Sequence, residues 1–262
     1  MPDLLELAEA LAREAGDLAR RRRSEGVTVA ASKSSLADIV TAADREVEEL
    51  IRRRLADARP DDGFFGEESG AERGTSGVTW IVDPIDGTVN YAYGIPHYAV
   101  SIAAVSGVPT PDAWMPEVGV VHNPATGETF TGASGGGAWL GETRLHVSEP
   151  TEAGALLATG FGYDPAQHEG DLARVRAVMP FARDLRRAGA ASLDLAYVAA
   201  GRLDGYFEKN LNPWDHAAGC LLVTEAGGFV GGDPGGRPGR EMVIAGGVAT
   251  AERIRAAIYR SH

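Results

Sequence analysis

The sequence predicts an α+β protein whose two lobes, residues 1–147 and 148–262, share one cleft. Three observations predict it. Two N-terminal segments repeat apolar residues at helical spacing. From about 62 to 147, short apolar runs alternate with Gly and Pro turns. After about 150, strand-like and helix-like stretches alternate.

In the first helix, over about 3–24, Leu4, Leu5, Ala8, Leu11, Ala12, Ala15 and Leu18 form one stripe, and Arg20 to Arg23 fall on the last turn. A second helix is expected over about 42–58, with Val47, Leu50, Ile51 and Leu55 on one face, Thr41 as N-cap and Pro60 as its stop. The runs at Phe64–Phe65, Val78–Val82, Tyr98–Val105, Val118–Val121 and Thr129–Thr131 read as a meandering sheet. Later come a strand at Leu156–Thr159, a helix over 168–179, and a helix capped by Ser192 that reaches Ala200. They are followed by a strand at Gly205–Glu208, a helix opened by Asn212-Pro213, a strand at Met242–Ala245 and a helix over 250–260. Gly107 to Pro116 is longer than a hairpin turn needs and reads as a lid, a dimer contact or a rigid loop.

With 25 Lys and Arg against 37 Asp and Glu, the formal net charge is −12. That acidity counts against a nonspecific nucleic-acid binder, whose affinity comes from neutralising phosphates. It does not exclude a phosphorylated small molecule, because bound cations reverse the sign locally. A single cysteine, Cys220, excludes an intrachain disulfide and a Cys-based zinc cluster, and the scattered histidines offer no i, i+4 pair. No signal peptide and no stretch of about 18 uninterrupted apolar residues is found, so a soluble, cytoplasmic protein is expected.

The most informative segment is Trp80-Ile-Val-Asp-Pro-Ile-Asp-Gly-Thr-Val-Asn90. An apolar strand ends at Asp83, where Pro84 breaks the ladder. In a regular strand Asp83 and Asp86 would point to opposite faces, and a turn at Pro84-Ile85 can bring both carboxylates to the strand end. Gly87-Thr88 would then start a helix whose free N–H groups seat a phosphate. Carboxylates beside an anion seat repel the anion unless a cation lies between, and an all-oxygen donor set selects Mg²⁺. The plainer reading is that Asp-Pro and Asp-Gly are ordinary turn dipeptides. Glu67, after the short run Phe64-Phe65-Gly66, and Asp215, in the first turn of an apolar helix, add two more acidic positions. Their plainer readings are a solvated Glu pair and a residue favoured by the helix dipole.

Lys33-Ser-Ser-Leu-Ala-Asp38, Thr41-Ala-Ala-Asp44, Gly66-Glu-Glu-Ser69, Trp80 to Asn90 and Trp214-Asp-His-Ala-Ala-Gly219 occur in the order and spacing of the inositol monophosphatase family, and Thr224-Glu-Ala-Gly-Gly228 belongs to the same pattern. The chain resembles that family from about Lys33 to Gly228. The resemblance implies a layered αβαβα sandwich, a homodimer, and inhibition by Li⁺. It implies Glu67, Asp83, the Ile85 carbonyl, Asp86 and Asp215 as ligands of two or three Mg²⁺. It also implies Gly87 and Thr88 as the phosphate seat, Asp44 as the acidic partner of Thr88, and Lys33 near the metal cluster. In that mechanism Mg²⁺ acidifies a water, which the Thr88–Asp44 pair or Glu67 orients for in-line attack. Cys220 and His216 read most simply as core residues.

The resemblance maps the polyol contacts to Gly189, Ala190, Ala191 and Glu208, with Ala190 standing where a hydroxyl-bearing residue is common. For Glu208 the alternative is a surface carboxylate paired with Lys209. The implied activity is hydrolysis of inositol 1-phosphate or a similar sugar or polyol phosphate. Fructose 1,6-bisphosphate, histidinol phosphate and 3′-phosphoadenosine 5′-phosphate are the alternative substrates. A regulatory protein of the transcription machinery is the alternative of another class.

Overall fold

The computed structural model describes residues 3–25, 29–32, 39–162 and 164–259. Helix α1 (Leu4–Ser24) starts on Asp3, whose carboxylate accepts the Leu5 N–H, and buries Ala8, Leu11, Ala12, Ala15, Leu18 and Ala19 along one side. Two arginines near its C-terminal end are paired: Arg20 with Asp17, and Arg22 with Glu25 and Glu46. A two-stranded ribbon, β1 (Val29–Ser32) and β2 (Ile39–Thr41), leads directly into α2 (Ala42–Ala58). The cap predicted at Thr41 concerns a side chain outside those described. On α2 the buried stripe of Ala43, Val47, Ile51 and Leu55 also carries two carboxylates, Asp44 and Glu48.

The first large sheet holds β3 (Gly63–Gly66), β4 (Gly70–Glu72), β5 (Val78–Asp86), β6 (Ala99–Ser106), β7 (Met115–His122), β8 (Thr129–Ala133), β9 (Gly137–Leu140) and β10 (Thr143–Arg144). The short helix α3 (Thr88–Tyr93) lies between β5 and β6. From β5 to β10 the sheet is the expected antiparallel meander, while β3 joins β5 in parallel. The loop 107–114 joins β6 to β7 and is held by Arg237, which donates to the Asp112 and Trp114 carbonyls.

The second sheet is built from β11 (Ala155–Thr159), β12 (Ala182–Arg186), β13 (Gly205–Glu208), β14 (Phe229–Gly231) and β15 (Val243–Gly246), in the order β12-β11-β13-β15-β14. Its helices are α4 (His168–Val178), α5 (Ala191–Ala199), α6 (Pro213–Glu225) and α7 (Val248–Tyr259). Sequence patterning did not reveal β12, an edge strand whose Arg183, Asp184 and Arg186 are exposed.

The layers follow from which faces are apolar. Helices α1 and α2 cover one face of the first sheet, α5 and α6 fill the space between the two sheets, and α4 and α7 cover the far side of the second. Two cores therefore flank the first sheet: Trp80, Val82, Val100, Ile102 and Val120 point to α1 and α2, while Ile81, Ala103, Val121 and Phe130 point to α5 and α6. This is the αβαβα sandwich. Among the described residues no helix is long and apolar enough to cross a membrane.

Two expectations need correction. Pro84 does not end β5, which continues to Asp86 through a bulge. Ser192 is not the cap of α5: Ala190 holds that position, and the serine lies inside the first turn.

Candidate active site

The bulge in β5 decides the geometry. Asp83 lies opposite Ser101 and Asp86 opposite Ala99, so three steps on β5 match two on β6. One extra residue shifts the alternation: Ile85 joins Trp80 and Val82 on the α1/α2 face, and Asp86 returns to the face of Ile81 and Asp83. Pro84 fits here because it has no N–H for the ladder. Both carboxylates thus face the middle layer, by a bulge where the sequence predicted a turn.

From that layer, Asp215 on α6 meets them. Its Oδ2 accepts the Asn212 N–H at 2.6 Å, so it caps the helix and lines the cavity at once. Glu67 follows the end of β3, in a turn held by buried Glu48, which accepts the N–H groups of Glu68 and Ser69 at 2.8 Å each. Glu67, Asp83, Ile85, Asp86, Gly87, Thr88, Gly189, Ala190, Ala191, Glu208 and Asp215 all line one cavity of about 340 Å³. Asp44 is buried on α2, and its charge reaches Glu67 and Asp83. Lys33 and the segment to Asp38 lie outside the described residues.

Gly87 has φ 87°, and a Cβ there would meet the His97 and Gly189 carbonyls at 3.0 and 3.2 Å. The left-handed turn lets backbone from both halves approach, and it exposes the first-turn N–H groups of α3. The Thr88 hydroxyl donates to the Ile85 carbonyl at 3.0 Å. Asn90, the last residue of the acidic motif, donates to the carbonyls of His97 and Ala188, tying the Gly87 turn to the loop before α5.

Electrostatics single out the same groups. Asp83 is 2% exposed, and its carboxyl is raised well above the usual range by burial and by the charges of Glu67, Asp86 and Asp215. Glu67, though open to the cavity, is raised by the protein crowding its carboxyl and by Asp215 and Asp44. Burial pushes Asp86 to about 6 against the two hydrogen bonds from Ser192, and lifts Asp215 to about 7 with help from the charge of Asp86. Oxygen Oδ1 of Asp83 is buried with no hydrogen-bond partner among the described residues. Four mutually repelling carboxylates, one with an orphaned oxygen, fit a hard divalent cation. No three His, Cys, Asp or Glu side chains among the described residues close around one point. An open set of this kind suits Mg²⁺, which keeps several waters and takes substrate oxygens as ligands.

The chain matches the inositol monophosphatase family over residues 1–261. It is 42% identical over 252 residues to the inositol-1-monophosphatase of Rhizobium meliloti, spanning 94% of this chain and 92% of that protein. It is 41% identical over 233 residues to the Nus factor SuhB of Haemophilus influenzae, spanning 88% and 85%. Among solved structures, the extragenic suppressor protein suhB of Bartonella henselae superposes with a TM-score of 0.90 at 38% identity, covering 99% of each chain. The inositol monophosphatase from Anabaena gives 0.84 at 32% identity, covering 98% of this chain and 95% of that one.

The chain belongs to the inositol monophosphatase family. As a member it is a phosphoric monoester hydrolase.

Several residues that shape this inositol monophosphatase-family cavity were not found from sequence. Arg187, Asp194, Asn210 and Arg240 line it. Asp194 was the discoverable one, a lone carboxylate in an otherwise apolar helix. It is buried, raised by that burial, and paired with His97 Nε2 at 3.4 Å. Asn210 adopts φ 66° and donates to Gln167, which also lines the cavity. Glu208 is a cavity residue: Lys209 pairs with Glu241 instead, and Tyr206 donates to Glu208 from below. His216 and Cys220 are buried core residues, the first pushed down to about 4 and the second up to about 12 by burial.

Proposed function

We propose that this phosphatase is Mg²⁺-dependent and hydrolyses inositol 1-phosphate or a closely similar polyol phosphate. The observation that carries the reading is the cavity in which Glu67, Asp83, Asp86 and Asp215 stand together, with Asp83 Oδ1 left unpartnered. These four, with the Ile85 carbonyl, would hold two or three cations. The Ile85 oxygen accepts from Thr88 and, with two lone pairs, has the capacity for a second partner. When bound, the cations supply charge neutralisation at the phosphate and acidify a water.

The chain's own groups do the rest. The N–H groups at Gly87 and Thr88 receive phosphate oxygens. Thr88, with Asp44 as the acidic partner the family resemblance implies, and Glu67 would orient the attacking water. Gly189, Ala190 and Ala191 bound the ring. Glu208, pushed up to about 8 by burial, accepts from a ring hydroxyl when ionised and also donates to one when protonated. The protein would act as a cytoplasmic homodimer, a state that sedimentation would verify.

The test is phosphate release from inositol 1-phosphate, fructose 1,6-bisphosphate, histidinol phosphate and 3′-phosphoadenosine 5′-phosphate, with Mg²⁺, with EDTA, and in Asp83→Asn. Mg²⁺-dependent preference for inositol 1-phosphate is expected, with loss of activity in LiCl relative to equal NaCl. Preference for another ester would overturn the reading of Gly189 to Glu208. Full activity in EDTA would sink the cation.

A second reading rests on relatives named Nus factor SuhB, as similar to this chain as those named inositol-1-monophosphatase. It would give the protein a role with the transcription machinery. RNA polymerase capture that survives Asp83→Asn would support that role beside the first.

A further inference from the structure

Ser192 sits fully buried in the first turn of α5 and does not cap its helix. Its N–H at 2.7 Å and its hydroxyl at 2.5 Å both donate to one atom, Asp86 Oδ2, across 106 residues of sequence. A serine in this helical position ordinarily turns its hydroxyl to local backbone. Here it links the middle layer to the bulged end of β5.

Two donors fill the acceptor capacity of Oδ2 and leave Oδ1 for the cavity. The two oxygens of an aspartate carboxylate are equivalent and rotation about its last bond is broad, so packing of the Asp86 side chain alone does not fix the plane in which the carboxylate lies. The paired bonds from Ser192 do. The N-terminal end of α5 adds partial positive charge on the same side.

We propose that Ser192 is a positioning residue: its hydroxyl, with its N–H, locks the Asp86 carboxylate so that Oδ1 is presented to the divalent cation. The inference rests on the cation reading of the cavity. Outer hydrogen-bond partners of metal ligands typically carry about 10–100-fold in affinity.

The test is calorimetric titration of MgCl₂ into metal-stripped wild type, Ser192→Ala and Ser192→Cys, with thermal melts in EDTA. Cysteine fills the serine's space but offers only a weak S–H donor. Both variants should fold, with Tm in EDTA lowered by at most about 8 °C, and both should bind Mg²⁺ about tenfold more weakly. The Mg²⁺ concentration for half-maximal phosphate release should rise by the same factor, with kcat at saturating Mg²⁺ within about twofold. An unchanged Kd in Ser192→Ala overturns the proposal. A wild-type Kd in Ser192→Cys also overturns it, because packing would then suffice. Absence of Mg²⁺ binding by wild type would mark failure of the cation reading itself, and the role of Ser192 would fall with it.

Discussion

Asp83 concentrates the cost of the site in one side chain. It is buried, faces three other carboxylates, and has an oxygen that no described residue satisfies. Without a cation such a group destabilises the fold, and with one it is needed. Asp83→Asn should therefore raise Tm in EDTA at pH 8 by about 2–5 °C while cutting Mg²⁺-dependent phosphate release at least about 100-fold. Differential scanning calorimetry and a phosphate assay on the same preparation would check both. A fall in Tm would show that Asp83 is held by attractive contacts. The motif Trp80 to Asn90 made Asp83 and Asp86 legible as a pair. Ser192 was misread because its helix-start chemistry is generic, and only the fold brings Asp86 to it.

Among the elements, α1 shows where local propensity and packing disagree. Gly16 lies in mid-helix, where alanine is ordinarily better by about 1 kcal/mol. A Cβ there would stand 2.5 Å from His122 Cδ2 and 3.1 Å from Pro124, and the His122 ring is fixed by Thr129 through its Nδ1 at 2.9 Å. Gly16→Ala should therefore destabilise the protein by about 1–3 kcal/mol, read by urea denaturation. A gain in stability would mean that β7 yields to α1. Both α2 and α6 matched their sequence signals closely, because a buried stripe at period 3.6 and an Asn-Pro start are local. The bulge in β5 was not local: it is defined by what β6 places opposite Asp83 and Asp86. Strand β12 hid because an edge strand with exposed charges has no apolar run.

At the scale of the molecule, the cavity makes stability depend on pH in an unusual direction. Asp86, Asp215 and Glu208 have folded values of about 6, 7 and 8, each raised above its ordinary value near 4. The folded state then holds more protons than the unfolded state, so stability from these groups is full below about pH 4 and is lost as pH rises to about 8. In EDTA, Tm should fall between pH 5 and 8. Saturating Mg²⁺, which requires ionised carboxylates, should flatten or reverse that slope. Melts in both conditions would decide it, and a rising Tm in EDTA would refute the electrostatic reading.

The sequence by itself determined the helices, the meander, the family and the acidic residues, because periodicity, turn chemistry and the motif are carried by neighbours along the chain. Only the tertiary structure decided how Asp83 and Asp86 come to share a face, that Glu208 turns from Lys209 into the cavity, and that Ser192 serves Asp86. Each of those depends on which distant backbone the layers press together, and β-register and helix packing set that after the chain has folded.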